Sequence, residues 1–126
     1  HNAGRHERMI VHQIKSMVKP GTVIPKPDAK SDFVIKGWGK RRGEDALIYY
    51  YPIIETPNKP YQKGITVSEW EQAFYELMET GSFSREWFNE HMEPCMKEGG
   101  CNFTTIGGIF ELLDIARYER GNYRRL

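Results

Sequence analysis

The 126-residue chain is predicted to fold as a single α+β domain, and three observations carry that expectation. Apolar residues recur at helical spacing in residues 7–19 and again through residues 66–116. Between those blocks stand two short runs rich in β-branched and aromatic residues, separated by a polar turn. The 3 Trp, 7 Tyr and 6 Phe supply bulk for one core, and a chain of this length builds such a core without covalent staples.

The first helix is expected over residues 7–19, where Ile10, Val11, Ile14, Met17 and Val18 share a face and Pro20-Gly21 ends the pattern. Gly21 to Ser31, with Pro25 and Pro27, reads as an extended connector. Phe33 to Gly39 and Ala46 to Tyr51 read as a hairpin turned by Lys40-Arg41-Arg42-Gly43-Glu44-Asp45. The second of these strands is apolar on both faces and is expected to be covered on both. Pro52, Pro57 and Pro60 mark residues 52–64 as a rigid loop.

The second half reads as three helices and a terminal hairpin. Thr66 and Glu69 have the spacing of a capping box, with Ile65 and Trp70 at the staple positions. Val67, Trp70, Phe74, Leu77 and Met78 form the stripe of the second helix, which stops at Gly81. Ser84 caps a third helix, in which Pro94 is expected to end or kink the chain. Thr104 or Thr105 caps a fourth, running to Ala116 through Ile106, Ile109, Phe110 and Leu113. Tyr118 and Tyr123 flank Glu119-Arg120-Gly121-Asn122, a short hairpin. The expected architecture is an N-terminal helix, a β-hairpin, three helices and a C-terminal hairpin in one compact domain.

Apolar residues make up 39% and charged residues 28%, and no apolar run is long enough for a membrane span, so a soluble chain is expected. No signal-peptide pattern precedes the first helix. Two cysteines are too few for a disulfide scaffold, which points to a reducing cytoplasm. Because the chain opens at His1, residues 1–6 are expected to lie outside the ordered domain or to be foreign to it.

The net charge of +1 hides a segregation. Residues 1–42 carry ten bases and three acids, residues 43–114 four bases and thirteen acids, and residues 115–126 four arginines and one glutamate. Basic ends around an acidic middle either serve a polyanionic partner or neutralise the protein's own acidic helices.

Four stretches carry candidate chemistry. The first is Ile109-Phe110-Glu111-Leu112-Leu113-Asp114-Ile115-Ala116-Arg117-Tyr118 followed by Arg120-Gly121-Asn122-Tyr123-Arg124-Arg125-Leu126. It resembles the end of a recognition helix running into the wing of a winged helix-turn-helix, a DNA-binding family, and the resemblance covers about residues 66–126. It implies that Arg117, Arg120, Arg124 and Arg125 reach phosphates. The helix itself has no Arg, Lys, Asn or Gln from Thr105 to Ala116 and carries Glu111 and Asp114, so it is not expected to read base edges. The connector from Pro94 to Phe103 is also longer than the tight turn of that family.

The second is the hairpin tip, where Lys36, Trp38, Lys40, Arg41 and Arg42 interleave positive charge with an aromatic ring, a pattern suited to phosphate contact with base stacking. Its alternative is a solvated turn whose arginines pair with Glu44 and Asp45. The third is His91, Cys95 and Cys101, in which His91 and Cys95 sit at helical i, i+4 spacing. As a zinc site it lacks a second closely spaced ligand pair, and a buried thiol pair is the alternative, so no metal is assigned. The fourth is a Gly-rich loop feeding a helix, with Gly99, Gly100, Thr104, Thr105, Gly107 and Gly108 as a possible ligand or anion site. It lacks the Gly-Lys-Ser/Thr of a phosphate-binding loop. Two adjacent glycines in a helix cost about 1–2 kcal/mol of propensity, which close approach by another helix or by a ligand would offset.

No catalytic residue is assigned. Asp28-Ala29-Lys30 is similar to the acid-x-Lys end of a restriction-type nuclease motif but lies in the Pro-rich connector rather than on a strand, and no Ser/His/Asp order is present. The expectation is a small non-catalytic protein without a cofactor that binds nucleic acid, DNA or RNA, through phosphates. The alternative is a homo-oligomeric interaction module or small-ligand binder, with a homodimer as partner and no membrane.

Overall fold

A computed structural model describes residues 2–52 and 61–126, with side chains from Met9 onward. The predicted α+β class holds: helices pack with two separate antiparallel sheets. Helix α1 (Asn2–Met17) begins before the expected position and takes in residues 2–6, so these belong to the helix; His1 lies outside the described residues. Its buried face is Ile10 and Ile14, continued by Val18 just beyond the helix, whereas Met17 points to solvent at 61% exposure. Thus i, i+4, i+8 spacing chose the core face and Met17 falls off it.

Strands β1 (Val34–Arg41) and β2 (Glu44–Tyr51) form the expected hairpin, two residues longer at the tip because Arg42 and Gly43 alone make the turn. Both have positive φ (49° and 78°), the geometry that matches strand twist in a two-residue hairpin. Ala46 to Tyr49 are buried, as their two-faced apolar pattern predicted. The loop expected over residues 52–64 is corrected in its last part: Tyr61–Thr66 is strand β3, paired antiparallel to β2 at the sheet edge. Gly64 and the polar Gln62 and Lys63 disguise it in the sequence. A Cβ at Gly64 would press on Ile48 and Arg41, so the glycine is there for fit. Residues 53–60, with Pro57 and Pro60, lie outside the described residues.

Helix α2 (Val67–Thr80) follows β3 directly. Thr66 accepts from the Glu69 amide at 3.2 Å, and Glu69 accepts from the Thr66 amide at 2.9 Å, closing the predicted capping box. Gly81 ends the helix in the left-handed conformation. A two-residue strand β4 (Ser82–Phe83), absent from the sequence expectation, leads into α3 (Arg85–His91), capped by Ser84 as predicted. The helical run is interrupted just ahead of Pro94, as expected. The chain breaks at Met92 and Pro94 opens a new helix, α4 (Glu93–Glu98), where a missing N–H leaves no helical bond unmade.

Helix α5 (Asn102–Leu112) starts at Asn102 with Cys101 as its cap residue, so the expected caps Thr104 and Thr105 lie inside its first turn. It ends at Leu112, four residues short of Ala116. Asp114 turns the chain at positive φ, and Ala116 already belongs to strand β5 (Ala116–Glu119). Strand β6 (Asn122–Arg125) completes the predicted hairpin with Tyr118 opposite Tyr123. The second sheet has the order β4-β6-β5.

One apolar cluster draws on both sheets and on α1, α2, α3 and α5. At its centre Phe83 meets Phe103, Phe110, Trp87, Phe88 and Tyr123, all with ring centroids within 6.5 Å. The two glycines of α5 are explained here, and not by another helix or by a ligand. A Cβ on Gly107 would run into the Tyr123 ring, and one on Gly108 into the Pro25 carbonyl and Ile24. Strand β6 and the connector both press onto α5 where it is narrowest.

Candidate functional site

The terminal hairpin presents two unlike faces. Alternation along β5 and β6 sends Ala116, Tyr118 and Tyr123 inward, and sends Arg117, Glu119, Asn122 and Arg124 outward. Arg117 and Arg124 are direct cross-strand partners, and Ser82 pairs with Arg124 from the other side. Two exposed arginines therefore stand opposite each other, an arrangement that destabilises a sheet through like-charge repulsion. Arg124 is partly balanced by Glu119, at 3.5 Å between exposed side chains. No ion pair or hydrogen bond engages the Arg117 side chain among the described residues. Arg120 occupies the turn with φ of 52° beside Gly121 at 89°, and its side chain too has no such partner there. Ser82, Glu119, Arg120, Asn122 and Arg124 border an open groove of about 390 Å³. Arg125 is separate: its guanidinium donates to the Met78 carbonyl and ties the sheet to α2.

The β1–β2 tip is arranged differently. Arg42 donates from Nε to Glu69 Oε2 (2.9 Å) and from Nη2 to Glu69 Oε1 (2.7 Å), a parallel pair of bonds, and from Nη1 to Glu98. Its Nη2 also reaches the Gly64 carbonyl at 2.8 Å. Arg41 Nε donates to Glu98 Oε2 at 3.2 Å, and Lys40 pairs with Asp45. Burial works against the Arg42 charge, yet the hydrogen bonds it donates to both glutamates hold it more firmly protonated than a free guanidinium. Trp38 is half-buried with Lys15 Nζ 5.1 Å above its ring. The sequence alternatives at this tip divide: Lys40 pairs within the turn, with Asp45, while Arg41 and Arg42 pair with glutamates of α2 and α4.

The Gly-rich loop binds part of the chain itself. Lys26, from the connector, donates from Nζ to the Cys101 carbonyl (2.9 Å) and to the hydroxyls of Thr104 and Thr105 (both 2.8 Å). Nζ lies 4.1 Å over the Phe33 ring. Burial pushes its pKa down to about 7, with Arg85 and Lys63 acting in the same direction and Cys101 opposing them. Arg85 donates to the Gly100 carbonyl at 2.7 Å and stacks on Phe103 at 4.5 Å. Lys26 and Arg85 were not singled out in the sequence. A lysine between two prolines carries no local sign that a fold will bring it to a helix 75 residues away.

His91, Cys95 and Cys101 do not converge. His91 is exposed and stacks on Trp87 at 5.3 Å, Cys95 is fully buried, and Cys101 Sγ lies 3.2 Å from the Tyr49 hydroxyl. Burial raises the Cys95 thiol well above its ordinary pKa. Among the described residues no group of three or more His, Cys, Asp or Glu is placed to hold a metal. No described helix is long and apolar enough to cross a membrane. Comparison with family models, curated proteins and solved structures returned no match.

Proposed function

We propose that residues 66–126 form a winged-helix-like module that binds nucleic acid through the phosphate backbone, with Arg117, Arg120 and Arg124 of the terminal hairpin as the contacting side chains. The observation that carries this proposal is the exposed Arg117–Arg124 cross-strand pair. Its repulsion is a standing cost to the sheet, and a phosphate seated between the two guanidinia removes that cost. Arg120, in a left-handed turn position and with no side-chain partner among the described residues, adds a further exposed cation beside that pair.

The order of elements supports the winged-helix resemblance: helix, short strand, helix, then a further helix and two strands, with the first strand pairing the last. Helix α4 is the inserted element. Helix α5, which takes the place of a recognition helix, is buried at Asn102, Phe103 and Thr105–Phe110. Its first turn is also tied to Lys26. Binding therefore rests on phosphate contacts and carries little base specificity. Arg41 and Arg42 contribute nothing to it, being engaged by Glu69 and Glu98.

Fluorescence anisotropy with a labelled DNA duplex, a single strand and an RNA duplex tests the proposal. Weak binding is expected, falling with salt with a log–log slope of about −2 to −3 for three phosphates. No binding to any of the three at about 50 mM salt, where such contacts are strongest, excludes it.

A further inference from the structure

A second cavity, of about 250 Å³, opens between the connector and the second sheet. Lys26, Asp28, Phe33, Arg85, Thr104 and Tyr118 border it. Arg85 and Lys26 stand with one carboxylate, Asp28, so the lining carries net positive charge while Lys26 is protonated. When protonated, Lys26 supplies charge rather than donors, since its three bonds are made to Cys101, Thr104 and Thr105. Arg85 supplies the donors. One Nη1 bond goes to Gly100, Cζ lies 4.5 Å from the Phe103 ring centroid, and no carboxylate engages it among the described residues. A guanidinium held by a backbone bond and a ring contact presents its remaining N–H groups as a fork for a carboxylate. The walls are aromatic: Phe33 stands under Lys26, and Tyr118 packs on Tyr123 with centroids 5.2 Å apart. The Tyr123 hydroxyl is buried without a hydrogen-bond partner among the described residues.

We propose that this cavity binds a small organic carboxylate with a flat apolar body, the carboxylate on Arg85 within the field of Lys26 and the body between Phe33 and Tyr118. The volume lies just below the usual range of ligand pockets, which limits the occupant to a single-ring compound. A carboxylate there neutralises the desolvated lysine, which has aromatic rings and hydrogen-bond acceptors around it but no ion pair among the described residues. The site is separate from the arginine face of the wing, so it stands or falls independently of nucleic-acid binding.

Calorimetric titration of the full chain with benzoate, benzamide and inorganic phosphate provides the test, with benzamide as the neutral isostere. Benzoate is expected to bind one to one, at least about tenfold tighter than benzamide, with phosphate weaker still, and Arg85→Gln is expected to cost benzoate about tenfold by removing a charge-assisted bond. Absence of saturable benzoate binding overturns the proposal, as does equal binding of benzamide or phosphate, or an Arg85→Gln variant of unchanged affinity. Should that variant not fold, Asp28→Asn replaces it at an exposed position. Benzoate then binds several-fold tighter, and unchanged or weaker binding contradicts the proposal.

Discussion

Arg42 grips Glu69 by two parallel hydrogen bonds of 2.9 and 2.7 Å, and the Glu69 oxygen at the shorter one also accepts the Thr66 amide. One carboxylate therefore joins the tip of the β1–β2 hairpin to the start of α2, and Glu98 of α4 closes on the same guanidinium. A basic turn whose arginines the sequence leaves either open to a phosphate or paired with Glu44 and Asp45 is a three-way clasp. The Arg42 side chain is 24% exposed and Glu69 12%, so solvent screens the clasp only in part. Arg42→Ala leaves two carboxylates facing each other and is expected to cost about 1–3 kcal/mol, a partly exposed version of breaking a buried pair. Urea unfolding measures it, and a change within experimental error would show the clasp to be incidental.

Glycine-to-alanine changes inside a helix ordinarily stabilise by up to about 1 kcal/mol. At Gly107 and Gly108 the sign is expected to reverse, because the added methyl meets the Tyr123 ring in one case and the Pro25 backbone in the other. Overpacking of this kind costs roughly 1–3 kcal/mol. Thermal unfolding of Gly107→Ala and Gly108→Ala decides it, and a raised Tm in either contradicts the packing described.

Lys26 gives the fold a pH signature. In the folded chain it releases its proton near pH 7, whereas an unfolded lysine holds it to about 10.5. Between those values the unfolded state binds more protons, so stability rises with pH by at most about 1.4 kcal/mol per unit. Below pH 7 both states are protonated and the contribution is flat. Arg85, Lys63, Cys101 and Tyr49 are the titratable or charged neighbours that act on it. The difference in unfolding free energy between wild type and Lys26→Met, followed from pH 6 to pH 10, is expected to change in favour of wild type above pH 7. A difference independent of pH rejects this account of Lys26.

Arg120 holds a turn position where asparagine is the favoured residue. Arg120→Asn is expected to stabilise the hairpin by about 0.5–1 kcal/mol by relieving left-handed strain. The same change is expected to weaken nucleic-acid binding. A variant that binds as well as wild type would leave Arg120 without the proposed role.

The helices were legible wherever a cap and a stripe coincided, as at Thr66, Glu69 and Ser84, because both signals are local. Strand β3 was not, since Gly64 and its polar neighbours read as loop and only pairing with β2 makes them strand. The start of α5 was misplaced because Thr104 and Thr105 have cap chemistry that is spent on Lys26 instead. The clustering of Arg117, Arg120 and Arg124 on the terminal hairpin was legible in the sequence, because they lie close together along the chain. The engagement of Arg41 and Arg42 could not, because Glu69 and Glu98 lie 27 and 56 residues from Arg42. The Lys26–Arg85 cavity was hidden for the same reason: it is assembled from the connector, α3, α5 and β5.

The most direct test of the central claim is the salt dependence of duplex binding in wild type and in an Arg117→Gln, Arg124→Gln double variant. Each phosphate contact contributes about 0.9 to the log–log slope, so the double variant is expected to lose nearly 2 units of slope. Removing the like-charge pair leaves its thermal stability equal to or above that of wild type. Identical slopes in the two proteins, or a wild type that binds no duplex at low salt, would contradict the claim that the terminal hairpin holds a phosphate backbone.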